Sequence, residues 1–177
     1  PVNSGLQVYD MWSLALDPVN PDCLFTGSGS GVYRSSDACA TWLPSRYLGS
    51  VYDIAIHPQD SSHVYAAVHG GVGKSTDGGV TWEKIPLSIS SYVQAVAIDP
   101  VASTTVYVGT GSGVAKTMDG GASWTEMNSG LGSADVNALV LDPVAPSTLY
   151  AGTRSGGVFK STDGAHSWTA VNNGLTS

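Results

Sequence analysis

Asp37, Asp77, Asp119 and Asp163 stand 40, 42 and 44 residues apart along the chain. Each follows a hydroxyl residue by two positions (Ser35, Ser75, Thr117, Ser161) and precedes a tryptophan by five (Trp42, Trp82, Trp124, Trp168). A carboxylate beside a hydroxyl could coordinate calcium or take part in acid–base chemistry. Repetition argues for a different role, because one active site has no use for four near-equivalent copies. A turn does. Asp accepts backbone N–H bonds inside its own reversal, a glycine such as Gly79 or Gly121 permits the tight bend, and Trp folds its ring back over the hairpin. The segments "SSDACATW", "STDGGVTW", "TMDGGASW" and "STDGAHSW" therefore read as structural staples. Two of them carry Cys39 and Ala165 where the others have Gly, which leaves the backbone of those turns open.

Other groups able to do chemistry are sparse. Hydrolysis of a glycoside calls for two carboxylates roughly 5–10 Å apart. Asp10, Asp53 and Asp135 are the candidates at the appropriate strand ends, and loop capping explains them better. Glu83 and Glu126 follow staple tryptophans on outer strands, where a solvated charge protects an edge. His57, His63, His69 and His166 are dispersed over different turns, so no metal site is expected. "GSGSG" and "GTGSG" look like phosphate loops, but no helix follows to present its N-terminus. No cofactor is expected.

The elements that position these residues repeat along with the staples. Each unit opens on an apolar word closed by an acid or His and then Pro: "WSLALDP", "YDIAIHP", "QAVAIDP", "NALVLDP". A β-rich word follows ("CLFTGS", "HVYAAV", "TVYVGT", "TLYAGT"), then a glycine turn, a second β-rich word such as "GVFKS", the staple, and a Trp-led stretch. Four strands in about 42 residues, with a turn signal at every junction, predict a β-propeller blade. The 177 residues, 42% hydrophobic, only 12% charged and with 22 Gly and 9 Pro, suit short strands and tight turns. The expected fold is all-β: one propeller unit over 1–177, its four four-stranded antiparallel blades near 8–48, 49–89, 90–129 and 130–175, forming a closed four-blade ring or part of a larger one.

The pattern Ser/Thr-x-Asp-x-Gly-x-x-Trp resembles the Asp box, or BNR repeat. Residues 75–82 and 117–124 match it in full, and the likeness spans essentially the whole chain. The longer blade pattern resembles sialidases, sortilin ectodomains, photosystem II assembly-factor propellers and family 74 xyloglucanases. In those proteins the boxes lie away from the active site. A sialidase would need an arginine triad, and Arg34, Arg46 and Arg154 are too scattered over the repeat to make one.

On the face opposite the boxes, equivalent first-strand positions carry Trp12, Tyr52, Gln94 and Asn137, with Arg154 in a nearby loop. Aromatic and amide groups around one opening would suit a sugar or a peptide, and they would serve equally as a channel plug. A net charge of −7, from 14 acids against 7 bases, leaves no basic stripe for nucleic acid or an anionic membrane. No apolar run reaches the roughly 20 residues that span a bilayer. Cys23 and Cys39 fall at the same end of neighbouring strands, which predicts a disulfide and an oxidising compartment. The leading expectation is a non-catalytic, extracytoplasmic module, secreted or periplasmic with its signal peptide outside these residues, that binds or scaffolds a protein or glycan. The alternative is a piece of a glycoside hydrolase whose catalytic residues lie elsewhere. A second copy, or further blades, is the expected partner that would complete a ring.

Overall fold

The computed structural model describes residues 4–6, 10–46, 48–90, 92–132 and 135–175. Among these the chain is all-β, with sixteen strands and no helix. The first sheet is β1 (Met11–Leu16), β2 (Leu24–Ser28), β3 (Gly31–Ser35) and β4 (Leu43–Arg46). The second is β5 (Val51–Ile56), β6 (Val64–Val68), β7 (Gly71–Ser75) and β8 (Glu83–Pro86). β9 (Val93–Ile98), β10 (Val106–Thr110), β11 (Gly113–Thr117) and β12 (Thr125–Glu126) make the third. β13 (Val136–Leu141), β14 (Leu149–Thr153), β15 (Gly157–Ser161) and β16 (Thr169–Ala170) make the fourth. Each sheet is a four-stranded antiparallel meander in chain order, the expected propeller blade. The chain divides into two compact units, Pro1–Pro86 and Leu87–Ser177, each holding two blades.

Burial explains the composition of the strands. In the second and third blades the second strand is covered on both faces, so β6 and β10 are buried at every position. The fourth strand is an exposed edge, and β8 carries Glu83 and Lys84 there.

Within Pro1–Pro86 the core lies between the two blades, where Phe25, Val32 and Cys23 meet Val51, Ile54, Val64 and Trp82. A Cβ added to Gly79 would sit 2.2 Å from Cε1 of Phe25, so the glycine leaves room for the ring. Within Leu87–Ser177 the same position is Ala165, fully buried in a cluster with Tyr107, Leu139 and Trp168.

Cys23 and Cys39 are free thiols, and the expected disulfide is not formed. The two strand ends are adjacent, but the two side chains lie on opposite faces of the blade. Cys23 belongs with Phe25 to the cluster facing the second blade. Cys39 holds the position of Gly79, whose Cβ would point back at the preceding blade, and it lines a groove with Trp42 on that other face.

Candidate functional site

The four boxes share one hydrogen-bond pattern. In the second blade Ser75 Oγ donates to Asp77 Oδ1 at 2.8 Å and accepts from Gly79 N at 2.8 Å. Asp77 in turn accepts from Thr81 N (2.8 Å) and Thr81 Oγ1 (2.5 Å). Ser35 and Asp37, Thr117 and Asp119, and Ser161 and Asp163 repeat this with Cys39, Gly121 and Ala165 as donors to the hydroxyl. Thr41, Ser123 and Ser167 take the part of Thr81. That hydroxyl just before the Trp is a box member not singled out from sequence, although all four copies have one. The two departures from Gly do not change the turn: Cys39 and Ala165 adopt φ of 70° and 73°, against 78° for Gly79. Their backbone is held in a region L-residues rarely visit, so the local hydrogen bonds offset the strain.

Each box aspartate is committed to these bonds, which stabilise the ionised form. The hydroxyl and amide of Thr81 pull Asp77 down to about 2, and those of Ser167 do the same for Asp163. A carboxylate so occupied is poorly suited to proton transfer near neutrality. The tryptophans do more than cover their own hairpins. Trp82 Nε1 donates to Ser45 Oγ (2.9 Å) and Trp168 Nε1 to the Met127 carbonyl (2.8 Å), each on the preceding blade. These two boxes therefore clasp the preceding blade of their own unit.

The "GSGSG" and "GTGSG" loops are likewise structural. Ser28 Oγ donates to the Gly31 carbonyl and accepts from Ser30 N, and Thr110 does the same with Gly113 and Ser112. Among the described residues no group of three His, Cys, Asp or Glu could hold a metal ion.

At the other end of the blades, the first strand carries the same irregularity in all four sheets. Pairing runs Met11↔Ser28 then Ser13↔Gly27, Val51↔Val68 then Asp53↔Ala67, and Val136↔Thr153 then Ala138↔Gly152. β9 skips between Val93 and Ala95. The unpaired residue is thus Trp12, Tyr52, Asn137 or Gln94, the four candidates read from sequence. A bulge re-aims the side chain of its extra residue and bends the strand. It also changes the phase, so Val51 and Ile54, three apart, both enter the core.

In Pro1–Pro86 the bulges bring Trp12 and Tyr52 together. Their rings stack with centroids 5.4 Å apart and planes 7° from parallel, and Trp12 is 49% exposed. In Leu87–Ser177 the counterparts are polar. Gln94 Nε2 donates to Asp135 Oδ1 at 2.7 Å, and Arg154 Nε pairs with Asp135 Oδ2 at 2.6 Å. Asn137 is exposed. Asp135 therefore has both oxygens engaged, and Arg154 is anchored by a carboxylate instead of standing ready for one. Asp53, next to Tyr52, accepts the N–H of Ile54.

No family model matches the chain. Among curated proteins, a xyloglucanase of Hypocrea jecorina (strain QM6a) is 30% identical over 84 residues, covering 46% of this chain and 10% of its own. Xyloglucanase Xgh74A of Acetivibrio thermocellus is 31% identical over 101 residues, covering 44% and 12%. Among solved structures, the GH74 xyloglucanase from Xanthomonas campestris superposes with a TM-score of 0.79 at 19% identity, over 92% of this chain and 30% of that one. An ancestral GH74 enzyme gives 0.77 at 22% identity, over 97% and 25%. YCF48 from Cyanidioschyzon merolae gives 0.67 at 17% identity, over 90% and 55%. The chain thus spans about a tenth of the length of these curated relatives. Fold, boxes and likenesses together define a BNR, or Asp-box, β-propeller. Its blades are similar to those of GH74 xyloglucanases.

Proposed function

We propose that this chain is a non-catalytic, extracytoplasmic binding module whose ligand is a polysaccharide, and that Trp12 and Tyr52 form its contact platform. One observation carries the reading. Two coplanar rings, re-aimed by matching bulges and half open to water, make a flat apolar surface of the kind that takes the C–H face of a sugar ring. The names of the relatives, xyloglucanases, supply the ligand class, xyloglucan. The extracytoplasmic placement rests on that ligand class. The free thiols of Cys23 and Cys39 contribute nothing to this placement.

The second reading, a portion of a glycoside hydrolase, draws on the same relatives. It places the catalytic residues outside this chain, in keeping with Asp135, whose two oxygens are both taken by Gln94 and Arg154. Calorimetric titration with xyloglucan oligosaccharides tests both. Binding is expected without release of new reducing ends, and Trp12→Ala or Tyr52→Ala should each weaken it about tenfold, a change of ~1.4 kcal/mol. No affinity for xyloglucan, or equal affinity in Trp12→Ala, overturns the proposal. Xyloglucan hydrolysis by a longer protein that contains this chain, with none by the chain alone, supports the second reading.

A further inference from the structure

Each compact unit contains one complete blade-to-blade interface, and the two follow one plan. In Pro1–Pro86 the first blade presents Phe25, which lies over Gly79 and packs with Ile54 and Trp82 of the second. In Leu87–Ser177 the third blade presents Tyr107, which packs with Ala165, Leu139 and Trp168 of the fourth. A cation rides on the ring in both: Arg34 over Phe25 at 5.9 Å and Lys116 over Tyr107 at 5.0 Å. Lys116 Nζ also donates to the Gly164 carbonyl, in the box turn of the next blade.

Among the described residues, the first blade and the fourth blade each present a face that is open to water. On the first blade, Leu14 and Leu16 are 69% and 56% exposed, whereas Ile54 and Leu139, the equivalents of Leu14, are 6% and 8%. Leu14, Cys39 and Trp42 border a groove of about 420 Å³ on that face. On the fourth blade, Tyr150 is 39% exposed, where Phe25 and Tyr107 are 1% and 2%. Val140 beside it is 60% exposed. Lys160 sits 5.5 Å over the Tyr150 ring, as Lys116 does over Tyr107.

We propose that these two faces bind each other between copies of the chain, the fourth-blade face of one copy docking on the first-blade face of another. The occupant follows from chemistry already used twice in the fold. The groove beside Cys39 and Trp42 is the counterpart of the sites that receive Phe25 and Tyr107, and Tyr150 with its cation is the counterpart of those residues. In the complex Tyr150 enters the groove against the Cys39 sulfur, a favourable soft contact. Lys160 then donates to the carbonyl of Ala38, which holds the position of Gly164. Covering these apolar faces provides the driving force. The contact is head-to-tail, so it closes into a ring or propagates, according to the rotation between copies.

Sedimentation of the full chain across a concentration series tests this, with the variants Leu14→Asp and Tyr150→Asp and their equimolar mixture. Wild type should self-associate, and each variant alone should associate at least about thirtyfold more weakly. Each variant keeps one intact face, so the mixture should form a one-to-one complex. Both side chains are exposed, and unchanged melting temperatures will show that the variants fold. Cys39 should also react with thiol reagent more slowly as wild type is concentrated. A wild type that stays an 18.1 kDa monomer, a Tyr150→Asp protein that still self-associates, or a mixture that remains monomeric overturns the proposal.

Discussion

Gly109 in β10 and Val136 in β13 approach so closely that a methyl group on Gly109 would lie 2.8 Å from Val136 Cγ1 and 2.8 Å from its carbonyl oxygen. Gly27 stands in the same relation to Val51, at 2.7 Å and 2.9 Å. The bulge in the first strand turns Val51 and Val136 toward the preceding blade, and a missing side chain in that blade makes room for them. Gly109→Ala should therefore cost about 1–3 kcal/mol by overpacking a closed interface. Urea unfolding measures it. Gly29→Ala serves as the control and should be nearly silent, because a Cβ there would meet only the Trp12 ring, at 3.5 Å.

The box aspartates predict the acid behaviour of the fold. Their folded-state acidity is strengthened, chiefly by the neighbouring hydroxyl, with Asp77 and Asp163 at about 2 against an ordinary 3.8. Asp37 and Asp119 shift the same way. A depressed carboxylate contributes stability that is present above its unfolded value and lost as pH falls through its folded one. Stability should thus be level above about pH 5 and decline from about pH 4 to pH 2. Asp77→Asn should flatten that decline in a pH series of melting temperatures. Ser75→Ala, which removes a buried hydroxyl that accepts from Gly79 N, should cost about 1–2 kcal/mol at neutral pH.

His57 occupies a position that is aspartate in the other three blades: Asp17, Asp99 and Asp142. Asp99 accepts the N–H groups of Val101 and Ala102, and Asp17 those of Val19 and Asn20. His57 accepts one, from Gln59 at 3.4 Å, and its Nε2 is buried without a partner. His57→Asp restores the two-acceptor turn and should stabilise the protein by about 0.5–1 kcal/mol at neutral pH. A lower unfolding midpoint in guanidinium would refute it.

The two thiols should differ in reactivity. Burial raises the Cys23 thiol above its usual value and hides it, while Cys39 is partly accessible at the edge of an open groove. In dilute native protein a thiol reagent should label Cys39 and spare Cys23, and denaturant should release the second equivalent. Intact mass under non-reducing conditions should show two reduced cysteines.

Much of the fold was legible in the chain because its information is local. The spacing of Asp37, Asp77, Asp119 and Asp163 set the repeat, and alternation in words such as "YDIAIHP" set the strands. The side-chain hydrogen bonds between a box's hydroxyls, aspartate and backbone all fall within a few residues of that aspartate. The same locality is why the boxes could be read as turns and not as a site. Which face a side chain takes is not local. The bulges at Trp12, Tyr52, Gln94 and Asn137 have no residue type in common, since they answer to packing between blades. They decide that Trp12 meets Tyr52 as a stacked pair, whereas Gln94 meets Asp135. Opposite faces of one blade likewise part Cys23 from Cys39, though their strand ends are adjacent. Leu14 and Ile54 occupy one position of the repeat; only the tertiary structure makes one of them solvent-exposed and the other core, because burial depends on what packs against a face and not on the residue that lines it.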